Sequence, residues 1–247
     1  MAVLRKGVPW PLAHAPPPSF SYTPPVPGPI LILDTGSPLA SVALVRAGQV
    51  MATRTAGTER SSTRLLEMIK EVLDEGRLEM PDLGGLAVLR GPGSFTGVRI
   101  GLATVLGFHQ ALGLPVATPT SFEALAAAAP EDAELVIAAV DALRGDWSVQ
   151  VASNEPQLVA GADLPRLADG RPGVVIGFGV SRLADLSGWP GDLRLVEPGP
   201  LAPAAARLVA GPEIVWDPAL LTHPLYARPA IFTPARPRAA AAIAQEA

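Results

Sequence analysis

The run Gly91-Pro92-Gly93-Ser94-Phe95-Thr96-Gly97-Val98-Arg99-Ile100-Gly101-Leu102 does most to constrain what this chain can fold into. An apolar, strand-like segment, Leu86-Ala87-Val88-Leu89, leads into it, and an almost uncharged segment follows as far as Leu112. From Gly97 to Leu112 the sole permanently charged residue is Arg99. A helix that is apolar all round is buried on both faces. One face can cover a sheet; the other must meet either the second half of this chain or a second protein. Gly97, Gly101, Ala103, Gly107 and Ala111 would let a neighbouring helix come close. The Gly-Pro-Gly turn fits two roles, backbone N–H groups offered to a phosphate or tight backbone packing. The familiar catalytic loops fail on spacing. No Gly-Lys-Ser/Thr follows, as a Walker A loop requires, and Thr96 stands where the third glycine of a dinucleotide fingerprint belongs. Pro92, not glycine, sits two before Ser94, which rules out a nucleophile elbow.

Upstream, Ile30-Leu31-Ile32-Leu33 reads as a short buried strand ending at Asp34. Ser41 to Val45 and Gln49 to Thr53 read as two more strands, with Ala47-Gly48 as the two-residue hairpin turn between them. Ser61 or Ser62 can cap a helix running to about Glu75, with Gly76 as its stop. In that helix Leu65, Met68, Ile69, Val72 and Leu73 fall on one stripe, opposite Glu67, Lys70, Glu71 and Asp74. Val116-Ala117 reads as a short strand, and Ser121 can cap a helix of small residues through Ala129. The order β-β-β-α-β-α-β-α argues for a mixed α/β domain.

The second half is less regular. Strands are predicted at Leu135 to Val140, Trp147 to Ala152, Val174 to Ile176 and Leu193 to Val196, with short helices ending at Leu186 and Ala210. These patterns divide the chain into a proline-rich tail over 1–29, an N-terminal α/β sub-domain over 30–129, a smaller C-terminal one over 130–233, and a frayed tail over 234–247. Nine prolines in 1–29 leave no periodic apolar pattern, and a chain beginning at Val26 is expected to fold. Prolines interrupt that segment too often for a secretory signal, and no apolar run reaches the roughly 18–20 residues of a membrane span. A cytoplasmic protein is the expectation.

Composition removes several chemistries. With 49% apolar residues the chain can build a sizeable core. A net charge of −4 gives it no electrostatic reason to bind nucleic acid by itself, so any action on RNA calls for a partner's basic surface. There is no cysteine, and His14, His109 and His223 are scattered. A zinc site or a Ser-His-Asp triad has little to build on, and no catalytic or metal-binding residue is expected.

Asp34-Thr35-Gly36-Ser37 admits three readings. Aspartic proteases use Asp-Thr-Gly, but their chemistry needs two aspartates sharing a proton, hence a homodimer here, and the helix content argues against their all-β fold. Actin-like ATPases and sugar kinases place Asp-x-Gly-Ser/Thr between strands one and two, against nucleotide phosphates. An active ATPase or small-molecule kinase would use Asp34, Gly36 and Ser37 in that way, with Asp141 and Gly177-Phe178-Gly179 as the second half's contribution. In the third reading the fold is kept and the nucleotide chemistry is lost.

The Gly91 to Gly101 run resembles the signature of the TsaB (YeaZ) family, the dimerisation subunit of the bacterial tRNA threonylcarbamoyladenosine machinery. The resemblance extends over Ile30 to Thr35, Ser41 to Leu44, Thr63-Arg64-Leu65-Leu66 and Pro119 to Leu125, and is strong for about residues 30–128. Beyond that, Asp141-Ala142 and Pro224-Leu225-Tyr226-Ala227-Arg228 are the main echoes. Two departures stand out: Ser61 where the family commonly has histidine, and Asp141-Ala142-Leu143-Arg144-Gly145-Asp146 where it commonly has Asp-Ala-Arg-x-Gly-Glu. The resemblance implies an actin-like (ribonuclease H-like) ATPase fold of two sub-domains with a degenerate second half and no cofactor. It implies a non-catalytic subunit that binds the transferase TsaD through its first two helices, with the ATPase TsaE in the same assembly. A homodimer is also implied, with tRNA reached only through the complex. The product is N6-threonylcarbamoyladenosine at position 37 of tRNAs reading codons that begin with A. Leu65, Met68, Ile69, Val72, Val98, Leu102, Val105 and His109 are the expected interface residues. Gly91, Gly93, Thr96, Gly97, Arg99 and Gly101 are the expected structural motif, with Arg99 holding a carboxylate or a carbonyl.

Overall fold

The structure, a computed structural model, describes residues 28–57, 61–186 and 189–228. The expectations for both tails and for a serine cap at 61 or 62 therefore fall outside the described backbone or side chains.

Strands β1 (Ile30–Asp34), β2 (Leu39–Arg46), β3 (Gln49–Gly57), β4 (Gly85–Val88) and β5 (Val116–Ala117) form one sheet in the order β3-β2-β1-β4-β5. The first three run antiparallel, while β1, β4 and β5 are parallel. Ala47 and Gly48 both have positive φ, which gives the β2–β3 turn the twist a two-residue hairpin needs. A second sheet holds β6 (Val136–Asp141), β7 (Asp146–Val151), β8 (Gln157–Ala160), β9 (Gly173–Ile176) and β10 (Leu193–Val196). Its order is β10-β9-β6-β7-β8, with β6, β9 and β10 parallel, so it repeats the first topology strand for strand. This duplicated unit is the actin-like fold. Strand β8, whose residues are mostly exposed, carried no apolar alternation from which to predict it.

Alternation along the strands sorts side chains into layers. Leu31, Leu33, Val42 and Leu44 face helices α1 (Ser61–Gly76) and α2 (Phe95–Leu112). Ile32, Ala43, Val45, Ala87 and Leu89 face the opposite way, onto α3 (Ser121–Ala127), α4 (Leu201–Ala204) and α5 (Ala206–Ala210). The same inner layer takes Ala138 and Ile176 of the second sheet, while Ile137, Val149 and Val175 face a third core covered by 3-10 turns at Gly161–Ala168 and Val180–Asp185.

Three local expectations change. Helix α1 does stop near Gly76, but the left-handed residue is Arg77 (φ 53°), with Leu78 N–H bonded to the Leu73 carbonyl and Arg77 N–H to that of Asp74. Gly76 also makes room for the sheet: a Cβ there would press on the end of the Leu44 side chain, which would have to shift. The cap of α3 is Thr120 rather than Ser121, in a reciprocal box with Glu123. Residues 201–222 do not belong to the second lobe. Leu201, Ala202, Ala205, Ala206, Val209 and Trp216 pack into the inner layer against the first sheet, and Trp216 bridges to Ala117.

Candidate functional site

The two stretches singled out by sequence meet in space. Asp34 closes β1 and is fully buried. Its Oδ1 accepts the N–H groups of Gly36 (3.0 Å) and Ser37 (3.2 Å), which draws the β1–β2 loop into a tight turn. Burial raises the carboxyl pKa to about 6, against the partial opposition of those N–H donors. Among the described residues its Oδ2 has no hydrogen-bond partner.

The glycine-rich turn lies directly against this loop. The Gly36 carbonyl accepts from Ser94 N–H at 2.8 Å, and the Thr35 hydroxyl donates to the Gly97 carbonyl at 2.7 Å. A Cβ on Gly93 would sit 2.6 Å from the Gly36 carbonyl oxygen, and one on Gly36 would sit 2.8 Å from Val98. Side chains on Gly97 and Gly101 would overlap the Thr35 carbonyl and hydroxyl. These glycines let one backbone lie on another. Gly91 has φ 95° and abuts the Leu225 carbonyl, while Thr96 is exposed.

The second lobe offers a parallel turn with different partners. Asp141 Oδ1 accepts from Leu143 N–H (2.7 Å) and its Oδ2 from Arg182 (2.7 Å). The N–H groups of Gly179 and Ser181 both donate to Glu197, at 2.8 and 3.0 Å. Burial works against ionisation of Glu197, but those two donors, together with the Ser181 side chain and the Arg182 charge, outweigh it and hold its pKa below the usual range. Thus the loop most like a second phosphate cradle is already bonded to a carboxylate of the same chain. Sequence spacing gave no sign of Glu197, which lies 18 residues from Gly179. Among the described residues no group of three His, Asp or Glu side chains could hold a metal.

The expected interface side chains need correction. Leu65, Met68, Ile69, Val72, Val98, Leu102 and Val105 are buried in the chain's own core between sheet and helices. Periodicity identified the apolar stripe, and the first sheet, not a partner, covers it. His109 is half-buried, and its Nδ1 donates to the Leu114 carbonyl (2.7 Å), closing the end of α2. Helix α2 is not buried on both sides either: Phe95, Ala103, Gly107, Ala111 and Leu112 are exposed. Beside them Leu66 of α1 is 64% exposed, and a groove of about 310 Å³ runs along Leu66, Ile69, Leu73, Leu78, Met80 and Phe108. Among the described residues Arg99 holds neither carboxylate nor carbonyl. Its Nε donates to the Tyr226 hydroxyl (2.8 Å), and its guanidinium lies 3.7 Å from the Phe95 ring centre.

A duplicated actin-like fold, with one loop filled by its own glycine turn and the other by its own carboxylate, defines the class. Comparison with known proteins narrows it. The family model described as "TsaD: tRNA N6-adenosine threonylcarbamoyltransferase" matches residues 55–161. The Haemophilus influenzae tRNA threonylcarbamoyladenosine biosynthesis protein TsaB is 39% identical over 115 residues, 46% of this chain and 49% of that protein. An uncharacterized protein of Mycobacterium tuberculosis is 31% identical over 207 residues, 81% of this chain and 91% of that one. The solved structure of YeaZ from Pseudomonas aeruginosa superposes with a TM-score of 0.62 at 26% identity, covering 74% of this chain and 91% of that one. The chain belongs to the TsaB (YeaZ) family. It spans about half the length of the curated TsaB relatives it matches.

Proposed function

We propose that this chain is a non-catalytic scaffold subunit in the formation of N6-threonylcarbamoyladenosine on tRNA, docking the transferase TsaD on the outer faces of α1 and α2. The observation that carries the reading is the exposed apolar strip formed by Leu66, Ala103, Gly107 and Ala111, with half-buried Phe108 between them and the 310 Å³ groove, whose rim also carries Lys70, Asp74 and Glu79. Small residues on α2 allow a partner helix to approach closely, and the groove supplies apolar area to bury. This strip replaces the buried stripe as the contact surface. The relatives named for threonylcarbamoyladenosine biosynthesis support the pathway. The two occupied loops support a role without nucleotide chemistry: the N–H groups of Gly36 and Ser37 are committed to Asp34, and those of Gly179 and Ser181 to Glu197. TsaE belongs to the same proposed assembly, the strip is also the surface through which two copies would pair, and the site of action is the cytoplasm. Among the described residues no helix is long and apolar enough to cross a membrane.

The test is co-purification with the same organism's TsaD, followed by a tRNA modification assay. Wild-type protein should form a complex and support modification. Gly107→Arg, which adds a charge where nothing lies within 4 Å, should keep its melting temperature and lose the complex. Modification that proceeds equally well without this chain overturns the proposal. Measurable ATP hydrolysis abolished by Asp34→Ala would instead establish the active ATPase.

A further inference from the structure

The segment from His223 to Arg228 touches both lobes at matching places. At its start, Leu225 N–H donates to the Arg90 carbonyl (2.7 Å), and Arg90 Nη1 reaches the His223 carbonyl (3.4 Å). Arg90 and Gly91 follow β4 of the first sheet. In the middle, Tyr226 stacks on Phe95 with ring centres 5.0 Å apart and accepts from Arg99, which fastens it to the first turn of α2. At its end, the Arg228 fork donates to the carbonyls of Ala142 and Leu143 (2.7 Å to the latter) and pairs with Asp146 at 2.6 Å. Residues 142–145 join β6 to β7 of the second sheet, Asp146 opens β7, and three of the joining residues in a row, Leu143, Arg144 and Gly145, hold positive φ.

Both anchors lie at carboxyl ends of parallel strands, the end at which open α/β sheets take ligands. The lobes also meet through apolar side chains, Phe122 and Leu125 with Ala138 and Ile176. Apolar packing is non-directional and tolerates small rotations, whereas a guanidinium fork on two carbonyls and a carboxylate fixes orientation. We propose that His223 to Arg228 is an intramolecular clasp that locks the angle between the two lobes and holds the first turn of α2 in place. Arg228 and Tyr226 are its two positioning residues. The inference is independent of which partner the outer helices bind.

The chain has no cysteine, so a pair can be introduced cleanly at exposed positions of the two lobes, Gln110→Cys on α2 and Ser153→Cys after β7. Spin labels on this pair report the interlobe distance in the full chain. Arg228→Ala and Tyr226→Ala, each cutting one anchor, should both widen the distance distribution. Both should also speed amide exchange about tenfold at 90–97 and 142–146 while β1 and β2 stay protected. A distribution as narrow as the parent's in either variant overturns the clasp. So does faster exchange confined to 223–228. Variants whose β1 and β2 amides also lose protection would show a general fold element, not a clasp, and count equally against it.

Discussion

Asp34 shows how much a single residue's environment decides. Its residue type and place after a strand were legible, but its burial and its one-sided bonding were not. A carboxyl with its folded pKa raised to about 6 binds its proton more tightly folded than unfolded. Folding stability is therefore highest below about pH 4 on this account, falls as pH rises towards 6, and stays lowered above it. Asp34→Asn keeps the oxygen that accepts from Gly36 and Ser37 and removes the titration. Between pH 4 and pH 8 its stability relative to wild type should improve by roughly 2 kcal/mol in chemical denaturation. A difference independent of pH would disprove the buried-charge account. The glycines of the signature divide just as sharply. Gly97→Ala should cost about 3 kcal/mol or more, because the new methyl meets the Thr35 backbone, which cannot give way. Gly107→Ala has open space around it and should gain up to about 1 kcal/mol from helix propensity. Thermal melts of the two variants should move in opposite directions.

At the scale of elements, apolar periodicity located α1, and the charge-poor run located α2. The same periodicity could not say which stripe met the sheet. Leu65, Met68, Ile69 and Val72 satisfy a core and an interface equally well, and only the presence of Leu33, Val42 and Leu44 opposite them decides it. Helix ends were legible to within about two residues, α3 stopping at Ala127 rather than Ala129, with errors where a neighbour intervened. Gly76 looked like the left-handed stop, but it packs against Leu44, and Arg77 is the residue in the left-handed conformation. Arg77→Gly should relieve that strain and stabilise the chain by up to about 1 kcal/mol, measured as the shift in a urea midpoint. No gain would mean that Arg77 makes compensating contacts. On the outer side of α1, Arg54 of β3 binds Glu71 and Glu75, tying the helix to the sheet edge. These are solvent-screened pairs, so they orient the helix more than they stabilise it.

At the scale of the molecule, the α/β class and the first sheet followed from strand and helix patterns, but the second sheet's matching order did not, since its helices shrink to 3-10 turns and β8 lacks alternation. The return of residues 201–222 to the first lobe was likewise invisible, because a short alanine-rich helix carries no mark of its destination. Trp216 packs on Gly85 and bridges to Ala117, so Trp216→Ala should cost about 3–5 kcal/mol even though it lies far along the chain from the first sheet. A loss below about 1 kcal/mol in denaturant titration would show that the segment is peripheral. By itself the sequence determined the elements, the apolar stripes and the glycine signature, because propensity, periodicity and the lack of a Cβ act locally. Only the tertiary structure decided that the glycine turn fills the Asp34 loop, that Glu197 fills its counterpart, and that Arg228 joins the lobes. Each of those depends on hydrogen bonds between groups that chain order leaves far apart and folding alone brings within 3 Å of one another.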